Sequence, residues 1–258
     1  MTGLASLPMY DRPELRDAYD RFWHLVRRDL DDAPDHLTSV DDAGGTLWDL
    51  WRHPELVLSQ TCGLPYRHSL HRHVTLVGTP DYGLEGCAPG YYRSVIVARQ
   101  DDPRDAFSAF DGACLALNDP LSQSGWAAPA AHAQDAGIGF GGFVETGAHA
   151  GSARAVAEGR ADLAALDAHS WRLMCRFDDW TQALRVIDTT APTPGLPFVT
   201  ANAQASAMLS EAIAKAIEDL QPEDRDALCL KGILCLPAAR YLAQPLPPAV
   251  PGTLPRAT

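Results

Sequence analysis

Short apolar runs alternate with longer segments whose apolar residues recur at helical spacing. Bounded apolar runs are typical of buried strands and occur at 4–9, 56–59, 74–77, 91–98, 114–117, 143–145, 162–166 and 184–187. Spacings of three and four predict helices at 15–30, 47–51, 149–158, 169–177 and 203–220. A further helix is expected to begin near Ser124. Strands that alternate with helices indicate an α/β architecture with mainly parallel sheets.

Composition and charge narrow the function classes. The 258 residues are 46% apolar and 21% charged, which is typical of a globular protein and excludes a disordered or fibrous chain. The net charge of −12 argues against non-specific nucleic-acid binding, which requires a cationic face. A small anionic ligand stays compatible with this charge, because a few local donors can outweigh distant carboxylates. The sequence contains no run of about 18 apolar residues, so it predicts no transmembrane helix.

The N-terminal residues lack the basic segment, long apolar segment and cleavage site of a secretory signal. We therefore expect a cytoplasmic location, or a periplasmic one if the start codon is misassigned. The six cysteines contain no C-x-x-C pair, and in a reducing compartment they behave as small buried apolar residues. Three disulfides stay possible if the protein is exported.

A histidine cluster is the only pattern that suggests a metal. His68, His71 and His73 form H-x-x-H-x-H, but no acidic or cysteine ligand lies at a matching spacing. Arg67 directly precedes His68 and Arg72 lies between His71 and His73, and both would repel a cation. We expect no metal site and no cofactor.

The segment 118–126 carries the strongest chemical signal. It follows a predicted strand and precedes a helix, so the unpaired amides of the first helical turn face whatever binds there. Ser122 and Ser124 add hydroxyl donors, and Gly125 allows close approach to the backbone. This arrangement suits an oxyanion. The alternative is that Ser124 only caps the helix. Pro129 lies early in the same helix and removes one more backbone donor.

Three other polar positions follow predicted strands. His149 lies where a loop becomes a helix and either donates to an anion or lies on the surface. Asp167 ends a buried strand, where ligand residues collect in open α/β sheets, or it caps the next helix. Gln60 and Thr61 form either one wall of a cleft or an ordinary turn.

These segments, in this order, resemble the phosphate/phosphite/phosphonate solute-binding proteins of ABC transporters. The resemblance depends on D-P-x-S-x-S-G at 119–125, on H-x-x-S…A-V-x-x-G-x-A-D at 149–162, on Asp167 and on P-T-P-G-L-P at 192–197. It implies the type 2 periplasmic-binding-protein fold, with two α/β lobes joined by a hinge of two crossing segments and a ligand in the cleft between them. Lobe one would comprise 1–98 and 190–258, including a Pro-rich mobile tail at 245–258. Lobe two would comprise 99–189.

The resemblance also implies roles for particular residues. Ser122, Ser124 and the Gly125 amide would hold the tetrahedral oxyanion together with His149, and Asp167 would hold a ligand amine or another donor. Gln123 stands where the family commonly has Thr, which suggests a different head group. The remaining predicted ligand-binding residues are Tyr10, Gln60, Thr61, Tyr92 and Trp126, although such aromatic residues more often belong to a core.

We therefore expect a monomeric ligand-binding protein for a small anionic or zwitterionic ligand, with an ABC permease as an implied partner. The G-x-S-x-G nucleophile elbow and other catalytic motifs are absent, so binding without catalysis is the leading interpretation. The alternative is a cytosolic enzyme or metabolite sensor on the same fold. At fold level only, the chain resembles the two-lobed enzymes of the menaquinone pathway. In such an enzyme, His149 and Asp167 would serve as the acid–base pair.

Overall fold

The computed structural model describes residues 3–31 and 33–252. The strands are β1 (Leu4–Ser6), β2 (Leu56–Gln60), β3 (Thr75–Asp81), β4 (Tyr91–Tyr92), β5 (Ser94–Arg99), β6 (Cys114–Leu117), β7 (Gly142–Glu145), β8 (Leu163–Asp167), β9 (Leu184–Thr189), β10 (Thr193–Pro194), β11 (Phe198–Thr200) and β12 (Gly232–Leu234). The α-helices are α1 (Arg16–Arg27), α2 (Leu47–Trp51), α3 (Gly63–His68), α4 (Ala128–Asp135), α5 (His149–Ala157), α6 (Ala168–Phe177), α7 (Ser206–Asp219), α8 (Pro222–Leu228) and α9 (Ala238–Leu242). A π-helical turn, Gln123–Ala127, directly precedes α4.

The chain forms two compact units, of which the first comprises Met1–Tyr91 and Pro194–Gln244. Its sheet has the strand order β1-β2-β11-β3-β12. β1 and β2 are parallel, whereas β11 runs antiparallel to both β2 and β3. Trp51, Leu56 and Tyr241 are among the residues of one buried cluster, and α1 packs against α7.

Within the described residues, the second unit comprises Tyr92–Thr193 and 245–252. Its sheet has the order β7-β6-β8-β5-β9, with β6 parallel to both of its neighbours. Successive side chains of a strand point to opposite faces, and here both faces are buried. Leu115 and Leu117 join the apolar cluster that contains Trp126, whereas Ala116 joins the cluster that contains Val156 of α5. Burial on both faces explains the short continuous apolar runs.

The crossing points differ from the predicted ones. The chain passes between the units at 91/92 and 193/194, and the crossing segments β4 and β10 form a two-stranded sheet. The prediction that 92–98 belongs to lobe one is wrong, because β5 pairs with β8 on one edge and β9 on the other. The expectation of mainly parallel sheets is also wrong. β5 and β11, the strands that follow the two crossings, are antiparallel to both of their neighbours.

The Pro-rich tail also departs from the prediction. As expected, 245–252 forms neither helix nor strand, but it belongs to the second unit instead of lobe one. The Trp126 indole Nε1 donates to the Pro248 carbonyl at 2.8 Å, and Val250 is 2% exposed within the cluster around Trp126. These contacts anchor the segment expected to be mobile. Residues 253–258 of that prediction lie outside the described residues.

Candidate functional site

Three strand ends meet at one edge of the second unit's sheet. β6, β7 and β8 are parallel, so their carboxyl ends lie at the same edge. These strands end at Leu117, Glu145 and Asp167. The first is followed by the serine segment, the second by the loop that leads to His149. The carboxyl edge of an open α/β sheet is where such folds bind ligands.

Residues 122–125 form the serine loop. Its first residue, Ser122, caps the helix and lies directly before the π-helical turn. Ser122 Oγ accepts the Gly125 amide at 3.0 Å. A helix start near Ser124 is confirmed, because the π-helical turn begins at Gln123, but the cap is Ser122 and not Ser124. The Gly125 amide, expected to face a ligand, already has a partner. The Ser124 amide lies in the first helical turn, where no intrahelical partner exists. Ser122, Gln123 and Ser124 are 4%, 4% and 3% exposed, so the loop does not lie on the outer surface.

The structure brings His149 onto the serine loop. Its Nε2 lies 2.9 Å from Ser124 Oγ, which joins the loop after β6 to the start of α5. His149 Nδ1 is buried and has no partner among the described residues. Burial lowers the pKa of His149 to about 4, so the imidazole is neutral at pH 7. A neutral imidazole has one donor and one acceptor nitrogen, and one of them is left unused here.

Asp167 caps the helix that follows it, which was the alternative to a role in ligand binding. Its Oδ1 accepts the amides of His169 at 2.7 Å and Ser170 at 2.9 Å, which caps α6. The side chain is 2% exposed. Asp167 pairs in register with Ser94 of β5, and Ser94 Oγ donates to the Ser124 carbonyl at 2.9 Å. Asp167 thus lies at the same edge as the serine loop, whereas contact with a ligand amine stays a prediction.

Asn118 and Ser94 belong to this edge and were not predicted as site residues. A Cβ added to Gly125 would overlap Asn118 Oδ1, so the glycine lets these two loop residues pack together. The Asn118 carbonyl accepts the Gly147 amide at 3.0 Å, which links the serine loop to the loop after β7. Asn118 lies directly before the D-P-x-S-x-S-G run, so its position was the available signal. Nothing in the sequence pattern singles out Ser94.

In the first unit, the other predicted residues form a buried polar cluster at the end of β2. Gln60 Nε2 donates to the Leu196 carbonyl at 3.0 Å and to the Tyr82 hydroxyl at 3.2 Å. Thr61 is fully buried, and its amide donates to the Pro197 carbonyl at 3.1 Å. The Tyr10 and Tyr82 rings meet edge to face at 5.1 Å. Tyr10 and Gln60 therefore both contact Tyr82.

The comparisons with known proteins agree with this architecture. Residues 52–235 match the family described as "ABC transporter, phosphonate, periplasmic substrate-binding protein". The chain belongs to this family. The predicted resemblance and the predicted fold class are both confirmed. Among curated proteins, no sequence matches the chain.

Several solved structures share the fold of this family member. PhnD1 from Prochlorococcus marinus, in complex with methylphosphonate, is 16% identical with a TM-score of 0.68, over 93% of this chain and 94% of that one. XAC2383 from Xanthomonas citri, bound to ATP, is 17% identical with a TM-score of 0.66, over 93% and 94%. PA3383 from Pseudomonas aeruginosa, a binding protein component of an ABC phosphonate transporter, is 17% identical with a TM-score of 0.66, over 93% and 83%.

Two aromatic residues predicted for the ligand site of this phosphonate-binding family member are buried. Trp126 is 4% exposed and packs edge to face on Phe143 at 5.4 Å, while its indole N–H is bonded to Pro248. The structure therefore places Trp126 in the core, and a ligand contact by its ring stays a prediction. Tyr92 is 3% exposed in β4, at a crossing between the units.

The remaining findings concern metals, disulfides and membranes. Among residues 3–31 and 33–252, no three His, Cys, Asp or Glu side chains are grouped to hold a metal ion. The same part of the chain contains all six cysteines, and no disulfide joins them. None of the described helices is long and apolar enough to cross a membrane.

Proposed function

We propose that this protein binds a small phosphonate- or phosphate-like oxyanion at the serine loop, 122–125, with His149 as a further contact. The observation that carries the proposal is the bond between Ser124 Oγ and His149 Nε2, 2.9 Å long, at the shared carboxyl edge of the sheet. The buried His149 Nδ1 is unused there, and the Ser124 amide lies in the first helical turn, where no intrahelical partner exists. Membership of the phosphonate-binding family supports this assignment.

The chemistry of these groups suits a tetrahedral oxyanion. Its oxygens accept hydrogen bonds, and the serine loop offers an amide N–H and hydroxyl O–H groups near a helix start. The positive end of the helix dipole and the first-turn amides favour negative charge at this position. Charge-assisted hydrogen bonds from such donors are about twice as strong as neutral ones. These local donors explain how a chain with a net charge of −12 can bind an anion.

The same Ser–His pair raises the alternative of an enzyme. In a serine hydrolase the histidine takes the serine proton, and a carboxylate bonded to its other nitrogen orients the ring. Here His149 Nδ1 has no partner among the described residues, so the orienting group is missing. This observation favours binding without a covalent step. Release of a cleaved product from any bound phosphonate would favour the enzyme instead.

Known complexes of the same fold suggest which probes to use. PhnD1 is in complex with methylphosphonate, and XAC2383 is bound to ATP. Both molecules carry tetrahedral phosphorus with anionic oxygens. We therefore choose methylphosphonate and inorganic phosphate as probes, with chloride as a non-tetrahedral control anion.

Isothermal titration calorimetry tests the proposal. Wild type is expected to bind methylphosphonate, and Ser124→Ala is expected to weaken binding by about 1.5–3 kcal/mol, or roughly 10- to 150-fold. Ser152→Ala is the matched control, because Ser152 is fully buried on α5 and its hydroxyl bonds Thr146 at 2.7 Å. Failure of wild type to bind either phosphorus oxyanion, or equal affinities for wild type and Ser124→Ala, would refute the proposal.

Delivery to an ABC permease is the second part of the proposal. The family is periplasmic and works with an ABC transporter, whereas the N-terminal pattern of this chain predicted a cytoplasmic location. We infer periplasmic delivery from the family. Fractionation of the native host, followed by detection of the protein in periplasmic and cytoplasmic extracts, distinguishes the two locations. Monomeric state stays a prediction that light scattering can check.

A further inference from the structure

Ser94 is a buried residue outside the serine loop that nevertheless bonds it. It is 1% exposed at the start of β5, and its Oγ donates to the Ser124 carbonyl at 2.9 Å. Its own backbone is fixed to Thr190, because the Ser94 amide donates to Thr190 Oγ1 and the Thr190 amide donates to the Ser94 carbonyl, each at 3.0 Å. Ser94 therefore presents its hydroxyl from a rigid strand.

The helix itself leaves the Ser124 carbonyl without a partner. In an α-helical register that carbonyl would accept the Ala128 amide, but Ala128 donates to the Gln123 carbonyl instead. In the π-helical register it would accept an N–H from residue 129, which is proline and has none. A buried carbonyl without a hydrogen bond is unfavourable, so another donor is required. Ser94 Oγ is that donor.

Together, two serine side chains hold one peptide unit at both ends. The carbonyl of the Ser124–Gly125 peptide is bonded to Ser94, and its N–H is bonded to Ser122 Oγ at 3.0 Å. This peptide adjoins the Ser124 amide and hydroxyl, the groups assigned above to the oxyanion. Donors that are fixed before the ligand arrives need no reordering when it binds. We propose that Ser94 is a positioning residue that orients the Ser124 donors, and that Pro129 creates the need for it.

This inference rests on the proposed function, and a double-mutant cycle tests it. We would measure methylphosphonate affinity by calorimetry and stability by urea unfolding for wild type, Ser94→Ala, Pro129→Ala and the double variant. Ser94→Ala is expected to lower affinity about tenfold in wild type, but by less than about threefold beside Pro129→Ala. Alanine at 129 supplies an N–H for the Ser124 carbonyl, so the Ser94 hydroxyl matters less. Stability is expected to show coupling of the same sign.

Two further variants separate positioning from a general loss of structure. Ser94→Thr keeps the hydroxyl and is expected to stay within about threefold of wild-type affinity. Ser152→Ala removes a buried hydroxyl whose hydrogen-bond partner, Thr146, lies outside the serine loop, and its effect is expected to be the same with Pro129 or Ala at position 129. Coupling in both affinity and stability supports the inference.

Three outcomes would overturn it. Equal losses from Ser94→Ala in both backgrounds would show that Pro129 does not create the need for Ser94. Coupling in stability with unchanged affinity in Ser94→Ala would reduce Ser94 to a structural role. If wild type binds neither methylphosphonate nor inorganic phosphate, the proposed function fails and the positioning role fails with it. In the first two outcomes wild type still binds, so the inference about Ser94 and Pro129 fails while the proposed function stands.

Discussion

Two histidines in the second unit predict how stability depends on pH. Burial lowers the pKa of His149 to about 4, and burial together with nearby Arg172 lowers that of His169 to about 3. In the unfolded chain a histidine titrates near 6.5. As the pH falls below about 6.5, the unfolded state takes up protons before the folded state does. Both histidines therefore reduce the free energy of unfolding in acid, whereas at neutral pH this loss is absent.

The magnitude follows from the difference in pKa between the two states. From pH 7 to pH 5, a histidine whose pKa falls from about 6.5 to about 4 costs about 2 kcal/mol of stability. For His149 this is an upper bound, because the residue as a whole is only partly buried. His169, which is 1% exposed, is expected to contribute about the same amount over this interval. Asp102, whose pKa Arg104 lowers to about 2, loses its contribution only below about pH 4.

Urea unfolding at pH 7 and pH 5 measures the effect. In His149→Gln the loss of stability between the two pH values is expected to be smaller than in wild type by up to about 2 kcal/mol. Comparing the two pH values within one variant removes any destabilisation by glutamine itself. His36→Gln, at an exposed position of the first unit, controls for the loss of a histidine as such. If His149→Gln and His169→Gln each lose as much stability between pH 7 and pH 5 as wild type does, the reasoning is refuted.

Three further substitutions test the local structure. Gly125→Ala is expected to lower both stability and methylphosphonate affinity, because the new Cβ would overlap Asn118 Oδ1; urea unfolding and calorimetry measure the two effects. Asp167→Ala is expected to cost about 1 kcal/mol in urea unfolding because α6 loses its cap. Trp126→Phe removes the hydrogen bond to Pro248 and is expected to speed hydrogen exchange at 245–252 without changing methylphosphonate affinity.

Each of these predictions has a matched comparison. A Cβ at Gly139 would meet nothing within 4 Å, so Gly139→Ala is expected to be tolerated, and an equal loss in both glycine variants would contradict the steric argument. Asp167→Asn keeps an acceptor for the cap, so a loss of stability as large as in Asp167→Ala would contradict the capping role. Unchanged exchange at 245–252 in Trp126→Phe would show that the indole bond does not anchor the tail.

The sequence pattern predicts most of the elements but not how the strands pair. A strand buried on both faces reads as a continuous apolar run whether its neighbours are parallel or antiparallel. For this reason the pattern alone predicts residues 94–98 in lobe one and in a parallel sheet. In the structure, β5 lies antiparallel between β8 and β9. The tail shows a similar limit. Its prolines correctly exclude a helix, but the indole that anchors it lies 122 residues away in the chain.

The serine loop shows what local reasoning can and cannot predict. The hydroxyl-rich strand-to-helix connection was predicted from its residue types, and so was the position of His149 at the start of the next helix. The expected helix start near Ser124 agrees with the turn that begins at Gln123, but residue type alone does not decide between Ser122 and Ser124 as the cap. The π-helical register depends on tertiary contacts, although Pro129 was a visible sign that a backbone bond would be missing. Ser94 reaches the loop only through the pairing of β5 with β8.

The proposed donor set is neutral, and this has a consequence for a protein that must bind and release an anion. No Lys or Arg side chain hydrogen-bonds Ser122, Ser124 or His149 among the described residues, and the low pKa of His149 keeps its ring uncharged. A buried cation would be left uncompensated whenever the ligand departed, at a cost of several kcal/mol. Neutral amide, hydroxyl and imidazole groups avoid that cost. The price is weaker attraction, so in the proposed site affinity would have to come from the fixed geometry that Ser122 and Ser94 impose on the loop.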